Sequence, residues 1–133
     1  MRETIHTKKV LKFDELSNQV IGFAIEVHRN IGPGLLESAY QKCLAHELHT
    51  AGIPFVIEHP LPVNYKGIQL DCGYRADLIV DNRLIIELKS VECLAPIHEA
   101  QLLTYMKLAG VSVGLLINFN MVYLRDGIKR MVL

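Results

Sequence analysis

Two acids and a lysine occur within two apolar segments near the middle of the chain. Asp77 lies in residues 74–80, and Glu87 and Lys89 lie in residues 84–89. Both segments are typical of buried strands, and charged groups are seldom buried without a partner or a function. The structural alternative is an ion pair between Lys89 and one of the acids. Since a buried ion pair stabilises a fold less than apolar residues of similar volume do, the pattern favours a chemical role.

The spacing of these residues decides whether they can act together. Glu87 and Lys89 are two positions apart, so they share one face of their strand. Asp77 shares that face only if the hairpin places it opposite Glu87. A shift of one residue in the register would turn Glu87 to the other side of the sheet.

The required register needs the three-residue loop 81–83, which pairs Val80 with Leu84. Loops of this length usually end in a residue with positive φ, most often glycine. Because this loop contains no glycine, we predict that Asn82 takes a positive φ or that a bulge lies nearby. Carboxylates on opposite faces would contradict a shared site.

Two neighbouring carboxylates repel each other, and a bound divalent cation would keep both ionised. Oxygen ligands of this type suit Mg²⁺ or Mn²⁺. Such a cation polarises a phosphoryl oxygen and activates water, while Lys89 orients that water or stabilises the charge of the transition state. The pattern therefore indicates metal-dependent hydrolysis of a phosphoester.

The elements that must position these residues belong to an α/β fold. The order is α-α-β-β-β-β-α-β-β, and the apolar strands 74–80 and 84–89 predict a mixed sheet covered by helices on both sides. Helices are predicted over residues 14–31, 35–51 and 96–109, and further strands over residues 53–58, 61–65, 111–118 and 121–124, with an edge strand in residues 128–133.

Length and charge limit the function classes. The 133 residues are expected to form a single domain, 1–133, with 1–12 as a loosely attached segment. Net charge is zero, from 14 basic and 14 acidic residues, which argues against binding nucleic acid or membrane by bulk attraction. The ends are basic, whereas residues 13–122 hold 7 bases and 12 acids, a net charge of −5.

The cysteines and the apolar runs bear on location. Cys43, Cys72 and Cys93 are an odd set without metal-ligand spacing, so we expect reduced thiols and a cytoplasmic protein. No apolar run resembles a signal peptide or approaches membrane-spanning length, so no membrane association is expected.

Several motifs resemble a known group of proteins. Residues 75–77 (RAD) followed by residues 87–89 (ELK) resemble the signature of the PD-(D/E)xK nuclease superfamily, with Ala76 in place of the nominal proline. Residues 34–40 (GLLESAY) fit the signature that names the GxxExxY family, and residues 101–105 and 114–120 are also similar to it. The resemblance extends from about residue 17 to the C-terminus. It implies a restriction-endonuclease-like α/β sandwich.

The resemblance also implies roles for individual residues. Asp77 and Glu87 match the metal-binding acids, the backbone carbonyl of Leu88 matches a further ligand, and Lys89 matches the catalytic lysine. Glu37 matches an acid on the first core helix that contributes to the metal site, directly or through water.

Other residues are candidates beside this set. Gln101 and Tyr105 resemble the QxxxY motif of exonuclease-like members, in which the glutamine holds the catalytic region or the substrate. Arg75, two residues before Asp77, is a candidate to contact a phosphate or to pair with a site acid. Tyr40 is expected to be a core aromatic residue with a hydrogen-bonded hydroxyl.

The leading prediction is a Mg²⁺- or Mn²⁺-dependent nuclease that acts on nucleic acid, with DNA favoured over RNA. One alternative is a non-catalytic nucleic-acid-binding or assembly module that retains the fold. The other is a metal-dependent phosphohydrolase of small phosphate esters. The sequence leaves open whether a homodimer or a protein partner completes the substrate groove.

Overall fold

The computed structural model describes the backbone of residues 2–133 and the side chains of residues 15–133. Its elements, in chain order, are α1 (Arg2–Ile31), α2 (Glu37–Thr50), β1 (Phe55–Pro60), β2 (Val63–Tyr65), β3 (Ile68–Leu70), β4 (Arg75–Val80), β5 (Leu84–Lys89), α3 (Pro96–Ala109), β6 (Val113–Asn118) and β7 (Ile128–Val132). The loosely attached segment expected over residues 1–12 lies outside the fully described residues.

Five strands form one mixed sheet in the order β1-β4-β5-β6-β7. β5 and β6 are parallel, and the other neighbouring strands are antiparallel. Helices α1 and α2 contact one face and α3 the other. This arrangement confirms the expected α/β sandwich of the restriction-endonuclease-like type, and the element order is approximately as predicted.

Both faces of the central strands are buried because each is covered by a helical layer. On one face, buried residues of α1 and α2 pack against alternate residues of β4, β5 and β6: Val20, Ala24, Leu44, Leu48, Leu78, Ile86, Leu88 and Leu115. On the other face, α3 packs against the intervening residues: Ile79, Ile85, Leu102, Met106 and Leu116. Because successive side chains of a strand point to opposite faces of the sheet, each central strand contributes residues to both hydrophobic cores.

The strand predicted over residues 121–124 is not formed. The chain bends after β6 and makes a 3₁₀ turn at Leu124–Gly127, and β7 is the strand that pairs with β6. Val122 and Tyr123 are 80% and 73% exposed, so these two apolar side chains are not buried against the sheet. The side chain of Asn118 accepts a hydrogen bond from the Asn120 amide, which turns the chain away from β6.

A short strand that was not predicted, β3, precedes the strand predicted over residues 74–80. β3 pairs with β2 in a separate two-stranded hairpin, whereas β4 belongs to the main sheet. The break follows from a turn in which Asp71 Oδ1 accepts a hydrogen bond from the Gly73 amide, a common use of aspartate in turns.

Within residues 2–133, none of the helices has both the length and the apolarity that crossing a bilayer would need.

Candidate active site

The β4–β5 hairpin has the register that a shared site requires. Val80 lies opposite Leu84, and the ladder continues to the pair of residues 78 and 86. Asp81 and Asn82 have φ values of 51° and 54°, which aspartate and asparagine tolerate better than most side chains. The predicted register and the positive φ of Asn82 are therefore confirmed.

The two acids lie where β4 and β5 stop pairing through their backbones. Beyond the pair of residues 78 and 86, hydrogen bonds between backbone amides and the two acidic side chains take the place of backbone–backbone hydrogen bonds. The Asp77 amide donates to Glu87 Oε1 at 3.3 Å, and the Leu88 amide donates to Asp77 Oδ2 at 2.8 Å. The structure thus brings Asp77 and Glu87 together at the point where the strands separate.

The electrostatics of this pair favour an added positive charge. Glu87 is 5% exposed, and its pKa is raised to about 9, first by burial and then by repulsion from the Asp77 carboxylate and a hydrogen bond between the two side chains. The Asp77 amide that donates to Glu87 lowers this pKa by a smaller amount. The positive charge of Lys89 also lowers that pKa and does not offset the effects that raise it. Without a further cation, Glu87 is therefore protonated at neutral pH.

A small cavity lies beside Asp77, between the sheet and α2. Its volume is about 120 Å³, and its lining consists of Glu37, Ser38, Gln41, Glu58, Asp77 and Leu88. Glu37 is the first residue of α2 and is exposed. Asp77, Leu88 and Glu37 therefore share one cavity, while Glu87 is buried next to it.

Three residues that line this cavity, Ser38, Gln41 and Glu58, were not predicted from the sequence, and two of them form hydrogen bonds beside Asp77. The Nε2 group of Gln41, which is 8% exposed, donates to the Asp77 carbonyl oxygen at 3.0 Å and to Glu58 Oε1 at 3.1 Å. Gln41 lies four residues after Glu37 and hence on the same helix face, a signal that could have found it. Glu58 could not be found in this way, since only the strand pairing places it.

The position of Glu58 in the sheet is unusual. Its neighbours Ile57 and His59 pair with residues 78 and 76 of β4, which puts Glu58 opposite Asp77. Its φ is 49°, an uncommon conformation for a side chain of this type. The departure of Glu58 from extended geometry interrupts the ladder beside Asp77 and directs its carboxylate toward Gln41.

The other side of the site is formed by α3. Ile85, two residues before Glu87, packs against this helix, so Glu87 lies on the α3 face of the sheet. Gln101 Nε2 donates to Tyr105 Oη at 3.4 Å. The pKa of Tyr105 is raised by burial and then by the charges of Glu87, Tyr74 and Asp77, which is consistent with a hydroxyl on the side of the acids.

Arg75 and Lys89 supply positive charge near the acids. The Nη1 group of Arg75, an exposed residue, donates to the Glu58 carbonyl oxygen at 3.4 Å. Lys89 is half-buried at the end of β5. Its backbone carbonyl accepts a hydrogen bond from the Phe119 amide, so β6 fixes the strand end that bears this lysine.

Two buried side chains hold the loops around the site. Tyr40 Oη donates to the Gly32 carbonyl and accepts from the Leu35 amide, at 2.7 and 3.1 Å, and its ring stacks on Phe119 with centroids 4.2 Å apart. The expectation of a core aromatic residue with a bonded hydroxyl is confirmed. The amide of Asn118 forms two hydrogen bonds with the backbone of residue 91, which anchors the chain just after Lys89.

The donor set fits a hard divalent cation that retains other ligands. Among the described residues, no three His, Cys, Asp or Glu side chains are close enough together to hold a metal ion. Asp77 and Glu87 supply two carboxylates, and Mg²⁺ is commonly held by one or two carboxylates together with water and substrate phosphate. The raised pKa of Glu87 also fits a pair that needs a cation to ionise.

The comparisons with known proteins agree with this geometry. The sequence matches the family model of the PD-(D/E)XK nuclease superfamily over residues 14–131. The chain therefore belongs to the PD-(D/E)XK nuclease superfamily, whose nucleases generally use divalent metal ions. No curated protein and no solved structure shows significant similarity to the chain. Because the match is to the superfamily, the narrower resemblance to the GxxExxY family stays a prediction.

Proposed function

We propose that this protein is a Mg²⁺- or Mn²⁺-dependent nuclease that hydrolyses phosphodiester bonds of nucleic acid. The observation that supports this most directly is the pair Asp77 and Glu87 at the separated ends of β4 and β5, with Lys89 on the same strand. Membership of the nuclease superfamily supports a nucleic-acid substrate, and DNA is the substrate that we propose.

In this proposal Asp77 and Glu87 would hold the cation, the carbonyl of Leu88 would be a further ligand, and Glu37 would act directly or through water. The cation supplies polarisation of the phosphoryl oxygen and a lowered pKa of water. Water would attack phosphorus and release its proton to solvent as the bond to the leaving oxygen breaks, and that oxygen would take up a proton from solvent. Lys89 stabilises the negative charge that develops on the phosphoryl oxygens.

The outer residues position the substrate and the catalytic strand. Arg75 is exposed, and within residues 15–133 its guanidinium makes one hydrogen bond, a long one to a backbone carbonyl, which leaves donors for a phosphate. Gln101 orients the hydroxyl of Tyr105 on the α3 side of the acids, and Tyr105 is proposed to contact the substrate.

The test is cleavage of single-stranded DNA, duplex DNA and RNA with Mg²⁺, with Mn²⁺ or with EDTA. We expect metal-dependent cleavage that falls by a factor of about 100 or more in Asp77→Asn and in Lys89→Met, because each variant removes a charge that acts on the transition state. Asp71→Asn and Lys129→Met are matched controls, since both residues are exposed and outside the site. Asparagine at position 71 keeps the oxygen that accepts from the Gly73 amide.

Each other outcome contradicts the proposal in a different way. Cleavage in EDTA would contradict metal dependence, and full activity of Asp77→Asn would contradict the site. Binding without cleavage would favour the non-catalytic module. Hydrolysis of small phosphate esters but not of oligonucleotides would favour the phosphohydrolase.

We also propose the finer assignments that the sequence suggested. Residues 1–133 act as one nuclease-like domain of the GxxExxY family. Two residues of that motif support this assignment: Glu37 lines the cavity beside Asp77, and Tyr40 donates a hydrogen bond to the Gly32 carbonyl. A cytoplasmic location is supported by the three free thiols. Whether a homodimer or a protein partner completes the substrate groove is decided by measuring the oligomeric state with substrate bound.

A further inference from the structure

Two tyrosines form an aromatic pair beside the acids. Tyr74 immediately precedes β4 and lies three residues before Asp77, whereas Tyr105 lies on α3. Their ring centroids are 6.1 Å apart and the rings are tilted by 56°, a favourable arrangement for two aromatic rings. The pair thus joins the start of the strand that bears Asp77 to the helix on the Glu87 side.

The two rings are not equally accessible. Tyr105 is half-buried, packs against the α3 core and receives a hydrogen bond from Gln101. Tyr74 is 46% exposed. Tyr105 therefore supports the pair from the helix, while nearly half of the surface of Tyr74 is accessible to solvent.

The net charge of this protein gives little electrostatic attraction to a nucleic acid. The whole chain has 14 basic and 14 acidic residues, of which four bases and two acids precede residue 15. The described side chains hence include ten basic and twelve acidic residues, and Arg75 and Lys89 are the two bases placed at the site above. Stacking of a base on an aromatic ring adds affinity that does not depend on net charge.

We propose that Tyr74, supported by Tyr105, stacks on an unpaired nucleobase next to the scissile phosphate, so that the substrate class is single-stranded or frayed nucleic acid. This inference rests on the proposed nuclease function. In an intact duplex both faces of each base are covered by neighbouring bases, and exposing one costs a few kcal/mol. A site that gains affinity from stacking therefore favours strands whose bases are already free.

The test measures binding of a short single strand that contains 2-aminopurine, whose fluorescence is quenched by stacking. The background is Asp77→Asn with Mg²⁺, which leaves the strand intact. We expect Tyr74→Ala to weaken single-strand binding by a factor of about 5 to 150 and to abolish the quenching. Tyr74→Phe, which keeps the ring, retains both. Tyr65→Ala is the matched control, because Tyr65 is 57% exposed on the separate β2–β3 hairpin.

Two results would overturn the inference. One is equal single-strand binding and quenching with and without the Tyr74 ring. The other is a loss in Tyr74→Phe as large as in Tyr74→Ala, because the hydroxyl rather than the ring would then be responsible. Should Tyr74→Ala fail to fold, the Phe variant together with a comparison of single-strand and blunt-duplex affinity still decides, since a stacking site must prefer the single strand.

Failure of the nuclease proposal gives a different result. In that case the wild-type protein does not cleave, or Asp77→Asn cleaves as well as the wild type, while quenching by Tyr74 is measured independently of cleavage. A protein that cleaves but shows no Tyr74-dependent quenching would contradict only the stacking site.

Discussion

At the scale of single residues, Glu87 is the group whose chemistry the fold changes most. Its pKa is about 9 in the folded protein, against 4.5 as the reference value. Between these values the native state binds more protons than the unfolded chain, so the free energy of unfolding falls as pH rises. The contribution of neutral Glu87 is fully present below about pH 4.5 and is lost by about pH 9.

This sign gives a first prediction. In EDTA, the free energy of unfolding of the wild-type protein falls between about pH 5 and about pH 8. Glu87→Gln carries a neutral side chain at both pH values, so its free energy of unfolding falls less. At the higher pH we expect the variant to be the more stable protein by ~1 kcal/mol or more. Urea denaturation at the two pH values measures the difference. Mg²⁺ then stabilises the wild type at the higher pH, since a cation bound to the ionised form shifts the equilibrium toward the folded state, and it stabilises Glu87→Gln less.

Glu92→Gln is the matched control for this prediction, because Glu92 is exposed and should not change the pH dependence. An unchanged pH dependence in Glu87→Gln would show that Glu87 already ionises in the metal-free protein.

Gln41 gives a second prediction at the same scale. Gln41→Leu removes the donor to the Asp77 carbonyl and to Glu58, with an expected loss of about 1–3 kcal/mol because two hydrogen bonds of a buried side chain are lost, one of them to a carboxylate. We also expect a weaker apparent affinity for Mg²⁺ at unchanged substrate KM, since Asp77 loses its support. Titration of activity with Mg²⁺, alongside thermal unfolding, measures both effects.

Gln69→Leu on exposed β3 is the control for Gln41→Leu, and it should alter neither quantity. If Gln41→Leu loses stability while its Mg²⁺ dependence stays that of the wild type, the role of Gln41 is structural only.

At the scale of elements, the site depends on the hairpin that joins β4 and β5. The loop 81–83 fixes which face Glu87 occupies, and it does so with two consecutive residues at positive φ, Asp81 and Asn82. Arg83 forms an ion pair with Asp81 across the loop. The register is therefore a property of the loop conformation as well as of the apolar strands.

The third prediction tests this loop through a pair of substitutions at one position. Asn82→Gly should leave stability equal to or up to about 1 kcal/mol above that of the wild type, because glycine adopts positive φ without strain. Asn82→Val should cost about 1–3 kcal/mol, since a β-branched residue is strained there. Thermal unfolding measures the difference, and equal stabilities of the two variants would show that the loop does not require a positive φ at residue 82.

At the scale of the whole molecule, neutral charge should be visible in how binding responds to salt. The two bases at the site, Arg75 and Lys89, predict about two phosphate contacts, which for a single strand gives a slope of about −1.4 for log affinity against log salt. Single-strand binding by Asp77→Asn over a range of salt concentrations measures it. A slope of about −4 or steeper would mean that bases elsewhere, such as those of the first twelve residues, contact the phosphates.

Much of the fold and the centre of the site followed from local patterns. The helices, the apolar strands and the hairpin register are encoded by side-chain periodicity and by a loop whose length permits one pairing. The same periodicity placed Asp77, Glu87 and Lys89 on neighbouring strands. The prediction of a strand at residues 121–124 was wrong because an apolar segment resembles a strand in its local pattern. Whether the chain stays in the sheet depends instead on neighbouring side chains such as Asn118.

The sequence by itself determined the layer order, the acid pair and its lysine, because these depend on residues close together along the chain. Only the tertiary structure decided that β4 and β5 separate at the acids, that Gln41 and Glu58 meet beside Asp77, and that Tyr74 lies against Tyr105. These contacts join residues from different elements, and the burial that raises the pKa of Glu87 arises only when the helical layers cover the sheet. The physical reason is that desolvation and long-range hydrogen bonds exist only after the chain has packed.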